Sequence, residues 1–257
     1  MKRSEYFHER VIWITGASSG IGAACARLFA KEGARIALSA RSGDKLAQLA
    51  DEIGGGDCLV LPFDVTDREA NHRAVAAIRE RFGGLDTAFF NAGTWKPMDL
   101  PHFDPRDFDK TFQVNVMGMV NGIEAALPEL EKSERGHLVG MSSSVAYRGI
   151  PRAEAYCASK AATRALLQAL RCQLKPRGVP VSIVLPGFVK SPLTETNDFD
   201  MPFLMETEDA ARKIAIGMAR YRGEIAFPWQ MIAIFRLLAL LPDSLYTSMM
   251  AKKVVRG

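Results

Sequence analysis

Cysteine is sparse in this chain. Cys25, Cys58, Cys157 and Cys172 are widely spaced and form no C-x-x-C pair. That pattern argues against a disulfide framework and predicts reduced packing thiols, as in a cytoplasmic protein. His8, His72, His102 and His137 are scattered. None falls in a His/Cys/Asp/Glu cluster with metal-ligand spacing, so no metal site is expected. Neither sign of charge dominates: 33 basic residues face 29 acidic ones, and the net +4 is too mild to point to nucleic acid. No apolar run reaches the roughly 20 residues that a membrane-spanning helix needs. The nearest, Trp229 to Leu241, is broken by Gln230 and Arg236. As a helix it would cover about 20 Å of a hydrocarbon core roughly 30 Å thick. Met1 to Arg10 carries charges and no apolar stretch, so it does not read as a secretory signal.

What remains is a globular composition. Hydrophobic residues at 48% and 257 residues of length suffice for a sizeable core without covalent staples. Strand-like and helix-like segments alternate. Strands are expected at Val11–Thr15, Arg35–Ser39, Cys58–Phe63, Leu85–Asn91, His137–Ser142, Pro180–Leu185 and Glu224–Phe227. Helices are expected at Ile21–Lys31, Asp44–Ile53 (stopped by Gly54-Gly55-Gly56), Asp67–Phe82, Pro105–Leu130, Ala155–Leu174 and Thr207–Tyr221. Pro128 should end or kink the fourth of these. The alternation predicts an α/β fold: one doubly wound parallel β-sheet with helices on both faces. Residues 1–228 form that single domain, and 229–257 follow as a helical tail. Lys190–Glu206 interrupts the alternation with Pro, Thr, Asn and Asp around Phe199, Phe203 and Leu204, which predicts a substrate lid at about 190–206.

Two local patterns carry chemistry. The first follows the first strand: Thr15-Gly16-Ala17-Ser18-Ser19-Gly20-Ile21-Gly22. Gly16 allows a tight turn, Gly20 lets backbone N–H groups approach a pyrophosphate, and Gly22 lets the helix pack closely. The helix N-terminus then faces the anion. At the end of the second strand, Ala40-Arg41-Ser42 has no carboxylate for a ribose 2′-hydroxyl, whereas Arg41 can pair with a 2′-phosphate. NADP is therefore expected over NAD. The second pattern is Tyr156 and Lys160, four apart and so on one helix face. An ammonium near a phenol is expected to lower its pKa and ready it for proton exchange with a carbonyl oxygen or an alcohol.

These pieces occur in one order with Asn91-Ala92-Gly93 after the fourth strand and Pro186-Gly187 after the sixth. Together, from about Val11 to Phe227, they resemble the short-chain dehydrogenase/reductase family in its compact, single-domain, Rossmann-like form. The resemblance implies an NADP(H)-dependent oxidoreductase acting on a carbonyl or secondary alcohol. It implies that Tyr156 is the general acid/base and that Lys160 holds the nicotinamide ribose. Ser143, thirteen residues before the tyrosine, would polarise the substrate oxygen, with Ser144 the runner-up. Asn115 would anchor a water leading to Lys160. Asp64 and Val65 would contact adenine, with Asn91, Ala92 and Gly93 along the adenosine side. Ser18, Ser19 and Ile21 belong to the phosphate loop. Pro186, Gly187, Val189 and Ser191 would close over the nicotinamide and its phosphate. A homodimer or homotetramer is implied as well.

The substrate pocket is expected between Ser143–Arg152, the stretch Thr94, Trp95, Pro97 and Met98, and the lid. Its apolar composition points to a hydrophobic ketone, aldehyde or alcohol. The tail offers two readings. Trp229–Leu241, stopped by Pro242, packs on the core or in an oligomer interface, or it lies peripherally on a membrane with Lys252, Lys253 and Arg256 near anionic lipid. The alternative function is a catalytically silent NADP(H)-binding sensor or scaffold, against which Tyr156, Lys160, Ser143 and Asn115 all speak.

Overall fold

β-Branched and aromatic residues run together at Val11–Thr15 (β1), and all five are buried, which marks this strand as an interior one covered on both faces. The structure, a computed structural model, describes residues 3–54, 57–98, 100, 103–195, 197 and 199–254. The side chains of residues 253 and 254 are excepted. Met1, Gly55, Gly56, His102 and Arg256, named above, lie outside the described residues, as do positions 196 and 198 of the 190–206 segment and the side chain of Lys253. Around β1 stand β2 (Arg35–Ala40), β3 (Cys58–Pro62), β4 (Thr87–Phe90), β5 (His137–Met141), β6 (Val181–Pro186) and β7 (Glu224–Phe227). Among the described residues they form one seven-stranded sheet in the order β3-β2-β1-β4-β5-β6-β7. Every pairing is parallel.

Side chains alternate across each strand, so each face needs its own cover. Ile12, Ile14, Ile36, Leu38 and Phe89 pack with α2 (Gly20–Lys31), α3 (Gly43–Glu52) and α8 (Thr207–Ala219). Trp13, Ala37, Ala88, Phe90 and Leu138 pack with α4 (Arg68–Phe82), α6 (Gly118–Lys132) and α7 (Glu154–Leu174). The chain reverses its winding between β1 and β4. In a doubly wound sheet, that switch opens a crevice at the carboxyl ends of the strands.

Several elements depart from expectation. The helix expected at Pro105–Leu130 is two helices, α5 (Pro105–Phe112) and α6, joined through a π-helical turn at Gln113–Met117. Pro128 does not stop α6, which runs on to Lys132. Its missing N–H removes one helical bond, but Ala125, Ala126 and Leu130 beside it are buried and hold the helix on the sheet. A short helix, α1 (Arg3–Phe7), stands in the charged N-terminus and fully buries Tyr6 and Phe7. β4 is shorter than Leu85–Asn91. The 190–206 segment has no helix among its described residues. Its base is closed by a parallel bridge between Val189 and Met205, with Lys190 N–H donating to Met205 O at 2.9 Å.

The tail forms α9 (Trp229–Leu240) and α10 (Asp243–Val254). α9 buries Met231, Ile232 and Phe235 and leaves Trp229, Leu237 and Leu240 exposed. Among the described residues, no helix is long and apolar enough to cross a membrane.

Candidate active site

At the switch point the glycine loop and the loop after β4 are laced together. Thr15 Oγ1 accepts from the N–H groups of Asn91 (3.1 Å) and Ala92 (3.2 Å). Asn91 Nδ2 donates back to Thr15 O (3.1 Å) and Gly16 O (3.0 Å). Gly16 has φ +66°, and a Cβ there would lie 2.7 Å from Ala92 Cα. A Cβ on Gly22 would meet Gly16 O at 2.3 Å. Neither position admits a side chain. Ser19, the residue before α2, makes no side-chain capping bond. The first N–H groups of α2 thus get no help from it and remain suited to an anion.

The crevice is a cavity of about 540 Å³, within the range of small-molecule sites. One end is lined by Gly16, Ser18, Ser19, Gly20, Ile21, Arg41, Asp64, Val65, Asn91, Ala92 and Gly93. Farther along come Ser143, Tyr156, Lys160, Pro186, Gly187, Val189 and Ser191. Two of the singled-out residues stand behind the wall. Gly22 backs the glycine loop. Asn115 is buried, its Nδ2 donating to Thr94 O (3.0 Å) and Ser159 Oγ (2.9 Å) while its Oδ1 accepts from Thr94 N (2.7 Å). With these bonds, Asn115 pins the loop after β4 to α7. Asp64 Oδ1 is engaged by Thr66 N–H and Oγ1–H, at 3.0 and 2.9 Å.

The three serines after β5 separate by their partners. Ser142 Oγ donates to Lys160 O at 2.8 Å. Ser143 Oγ donates to Pro186 O at 3.5 Å and accepts from Val145 N–H at 3.4 Å, and it lies near enough to the Tyr156 phenol to draw its proton affinity down. Ser144 lines the cavity. Lys160 is buried. Its Nζ lies 5.6 Å from the Tyr156 ring centroid and donates to Met141 O at 3.2 Å. The electrostatics correct one expectation. The phenol is not lowered by its lysine. Burial pushes Tyr156 up to about 12, against the smaller opposing pull of Ser143. Burial also brings Lys160 down to about 8. In a dry wall each group favours its neutral form.

The substrate side is mostly apolar. Trp95 meets Tyr156 edge to face, centroids 5.7 Å apart, and its Nε1–H donates to Asn197 Oδ1 of the 190–206 segment at 3.0 Å. Ile150, Phe188, Leu193 and Phe199 complete this wall. Pro97 and Met98 do not line it; Met98 is buried, and its N–H donates to Arg152 O at 2.9 Å. Sequence reasoning missed Phe63, Lys110, Val114, Met141 and the tail's Phe235, all of which line the cavity. The i, i+1, i+4 set Met231, Ile232 and Phe235 was the available signal for a buried face on α9.

Comparison with known proteins agrees with this geometry. A family model described as short chain dehydrogenase matches residues 10–201. A Myxococcus xanthus protein described as an uncharacterized oxidoreductase is 38% identical over 239 residues, 92% of this chain and 94% of its own length. The 2,5-dichloro-2,5-cyclohexadiene-1,4-diol dehydrogenase LinX of Sphingobium indicum is 36% identical over 187 residues, 72% of this chain and 75% of its own. A crystal structure of 3-ketoacyl-(acyl-carrier-protein) reductase from Brucella melitensis, complexed with NADH, superposes with a TM-score of 0.79. It shares 27% identity and covers 85% of this chain and 96% of its own.

Proposed function

The chain belongs to the short-chain dehydrogenase family of oxidoreductases, and from that premise we propose that it moves hydride between NADP(H) and the carbonyl or secondary-alcohol carbon of an apolar substrate. The observation that carries the reading is the convergence of Ser143, Tyr156 and Lys160 on one crevice whose other end is the glycine loop. The residues present fit a dinucleotide. Gly16 and Gly20 hold left-handed backbone, and at Gly16 and Gly22 any Cβ would collide, so backbone N–H groups lie open to a pyrophosphate. At the end of β2, Ala40, Arg41 and Ser42 line the cavity without a carboxylate, which supports NADP over NAD.

When bound, the dinucleotide would supply or accept the hydride. The chain's own residues handle the oxygen. Ser143 and Tyr156 would donate hydrogen bonds to it as negative charge grows, which lowers the barrier because the stabilisation strengthens toward the transition state. A phenol held near 12 keeps its proton until the substrate oxygen becomes strongly basic, then yields it. A protonated Lys160 would favour the phenolate left behind. Asn115 positions the Thr94 loop beside both.

Trp95, Ile150, Phe188, Leu193, Phe199 and Phe235 support a hydrophobic ketone, aldehyde or secondary alcohol. Assembly as a homodimer or homotetramer belongs to the same proposal and is checked by light scattering. Contact of 229–257 with a membrane surface is checked by vesicle flotation. The central test is a panel of carbonyls and alcohols followed by nicotinamide absorbance with each dinucleotide. Tyr156→Phe should cut turnover by about 10²-fold or more with NADPH affinity unchanged. Near-native turnover in that variant would defeat the assignment. NADPH binding without turnover of any substrate would move the protein to the silent-binder class.

A further inference from the structure

The tail reaches the substrate loop at a second place beyond Phe235. α10 is a mostly exposed helix, and Tyr246 is its one buried large side chain among the described residues. Its hydroxyl donates to Gly149 O. The Arg148 guanidinium lies 4.2 Å from the Tyr246 ring centroid, and its Nη2 donates to Asp243 Oδ1, on α10, at 2.8 Å. The neighbouring Tyr147 is gripped as well. Its hydroxyl donates to Glu224 Oε2 at 3.2 Å, and the guanidiniums of Arg164 (4.4 Å) and of Arg236 (5.5 Å), the latter from α9, both lie over its ring. Arg164 and Arg236 both pair with Glu224, at 3.1 and 2.9 Å. Three consecutive loop residues, 147 to 149, are thus held in part by elements almost a hundred positions later.

In sequence those residues stand between Ser143 and Ile150 of the apolar wall. Ser143, Ser144, Val145, Ile150 and Ala153, on either side of the gripped segment, all line the crevice. On its inner side α9 packs Met231 and Phe235 against Val145, Ala153, Cys157 and Tyr156. Among the described residues α10 contributes nothing to the crevice lining, and none of the contacts just given involves the glycine loop.

We infer that α9 and α10 form a strap that fixes the 147–150 segment over the substrate end of the crevice, with Tyr246 as its positioning residue. The strap sets how bulky an apolar carbonyl compound the site accepts and takes no part in proton transfer or dinucleotide binding. Freezing a loop before the ligand arrives lowers the ordering cost of binding, so the strap acts on substrate affinity. This inference rests on the oxidoreductase reading for its kinetic consequence but not for its structural one, and the two are tested separately.

The test compares Tyr246→Phe, which keeps the ring over Arg148, with Tyr246→Ala, which removes both contacts, in the full chain. The best-turned-over ketone of the panel serves as substrate. Removing one hydroxyl bond should raise KM roughly 2- to 10-fold. Tyr246→Ala should raise it further, with kcat within about twofold and the NADPH Kd by nicotinamide fluorescence unchanged. Hydrogen–deuterium exchange should quicken at residues 145–153 in the same order, alanine above phenylalanine above the unsubstituted chain, and stay unchanged at 15–22. Should Tyr246→Ala fail to fold, Asp243→Asn replaces it, since Asp243 is 89% exposed and loses only the ion pair with Arg148. Equal exchange at 145–153 in all variants overturns the strap. An unaltered KM with quickened exchange overturns its role in substrate choice. Quickened exchange in a chain that turns over no carbonyl compound keeps the strap and overturns the oxidoreductase reading instead.

Discussion

Acidification should weaken this fold through one histidine at the far end of the sheet from the crevice. His137 opens β5 and is fully buried. Ser182 Oγ donates its proton to Arg222 O at 2.7 Å, so at 2.8 Å it accepts from His137 Nε2–H. Nδ1 is then the acceptor for the Tyr6 hydroxyl at 2.6 Å. A second proton on the ring would make that hydroxyl an acceptor and turn its own proton toward the weaker partner Thr87 Oγ1, 3.4 Å away. The Arg10 guanidinium is buried nearby, over the Tyr6 ring at 3.9 Å. Burial first, and the Arg10 charge second, bring His137 down to about 3. In the unfolded chain an imidazole titrates near 6.5. Between those values the unfolded chain binds a proton that the folded chain refuses, so stability rises with pH there and falls on acidification. The slope is about 1.4 kcal/mol per pH unit, so going from pH 7 to 5 removes about 2 kcal/mol. For a chain this long, that is roughly 4–8 °C in Tm. His137→Gln will be less stable at pH 7, having lost two good hydrogen bonds, but its loss between pH 7 and 5 should be smaller by about that same 2 kcal/mol. Asp86 and Glu224 are held below the usual carboxylate range, so they act mainly at lower pH and equally in both proteins. Urea titrations of the two proteins at both pH values measure the double difference. A double difference near zero would refute this account of the histidine.

Two further outcomes concern the crevice. Arg41→Ala should raise KM for NADPH roughly 10- to 100-fold, by loss of a charge-assisted fork, and leave NADH nearly untouched; an unchanged ratio of the two dinucleotides in steady-state kinetics would remove the basis for NADP. Lys160, brought to about 8 by burial, loses its charge above that pH, so kcat/KM for carbonyl reduction should fall on the alkaline side with a limb near 8. A flat profile to pH 10 would show that its charge is not needed.

Local physics was legible in the residues themselves. The glycine loop Gly16 to Gly22 is written in the chain because left-handed backbone and colliding Cβ positions leave glycine no substitute. The parallel strands show as apolar runs because both their faces are covered. Tyr156 and Lys160 share a helix face by spacing alone, and Arg41 follows from its place after β2. Among Ser142, Ser143 and Ser144 counting back from Tyr156 singled out Ser143, and the fold adds their partners: Lys160 O takes the hydroxyl of Ser142, and Pro186 O that of Ser143.

What needed the folded molecule depends on contacts between distant segments and on burial. Nothing local in Arg3–Phe7 says that its aromatic pair will fill a gap beside His137 and Phe29. The π turn carries Asn115 to Thr94 and Ser159 where α5, packed on α7, gives way to α6, packed on α4 and β4. The spacing of Tyr156 and Lys160 suggested a lowered phenol, but a side chain's proton affinity is decided by how much water surrounds it, and only the packed wall showed that burial prevails. Tyr246 reaches Gly149 across 97 positions of chain. A meeting of that kind has no periodicity to announce it, because its cause is the path of α7, β6, α8, β7 and α9 between them.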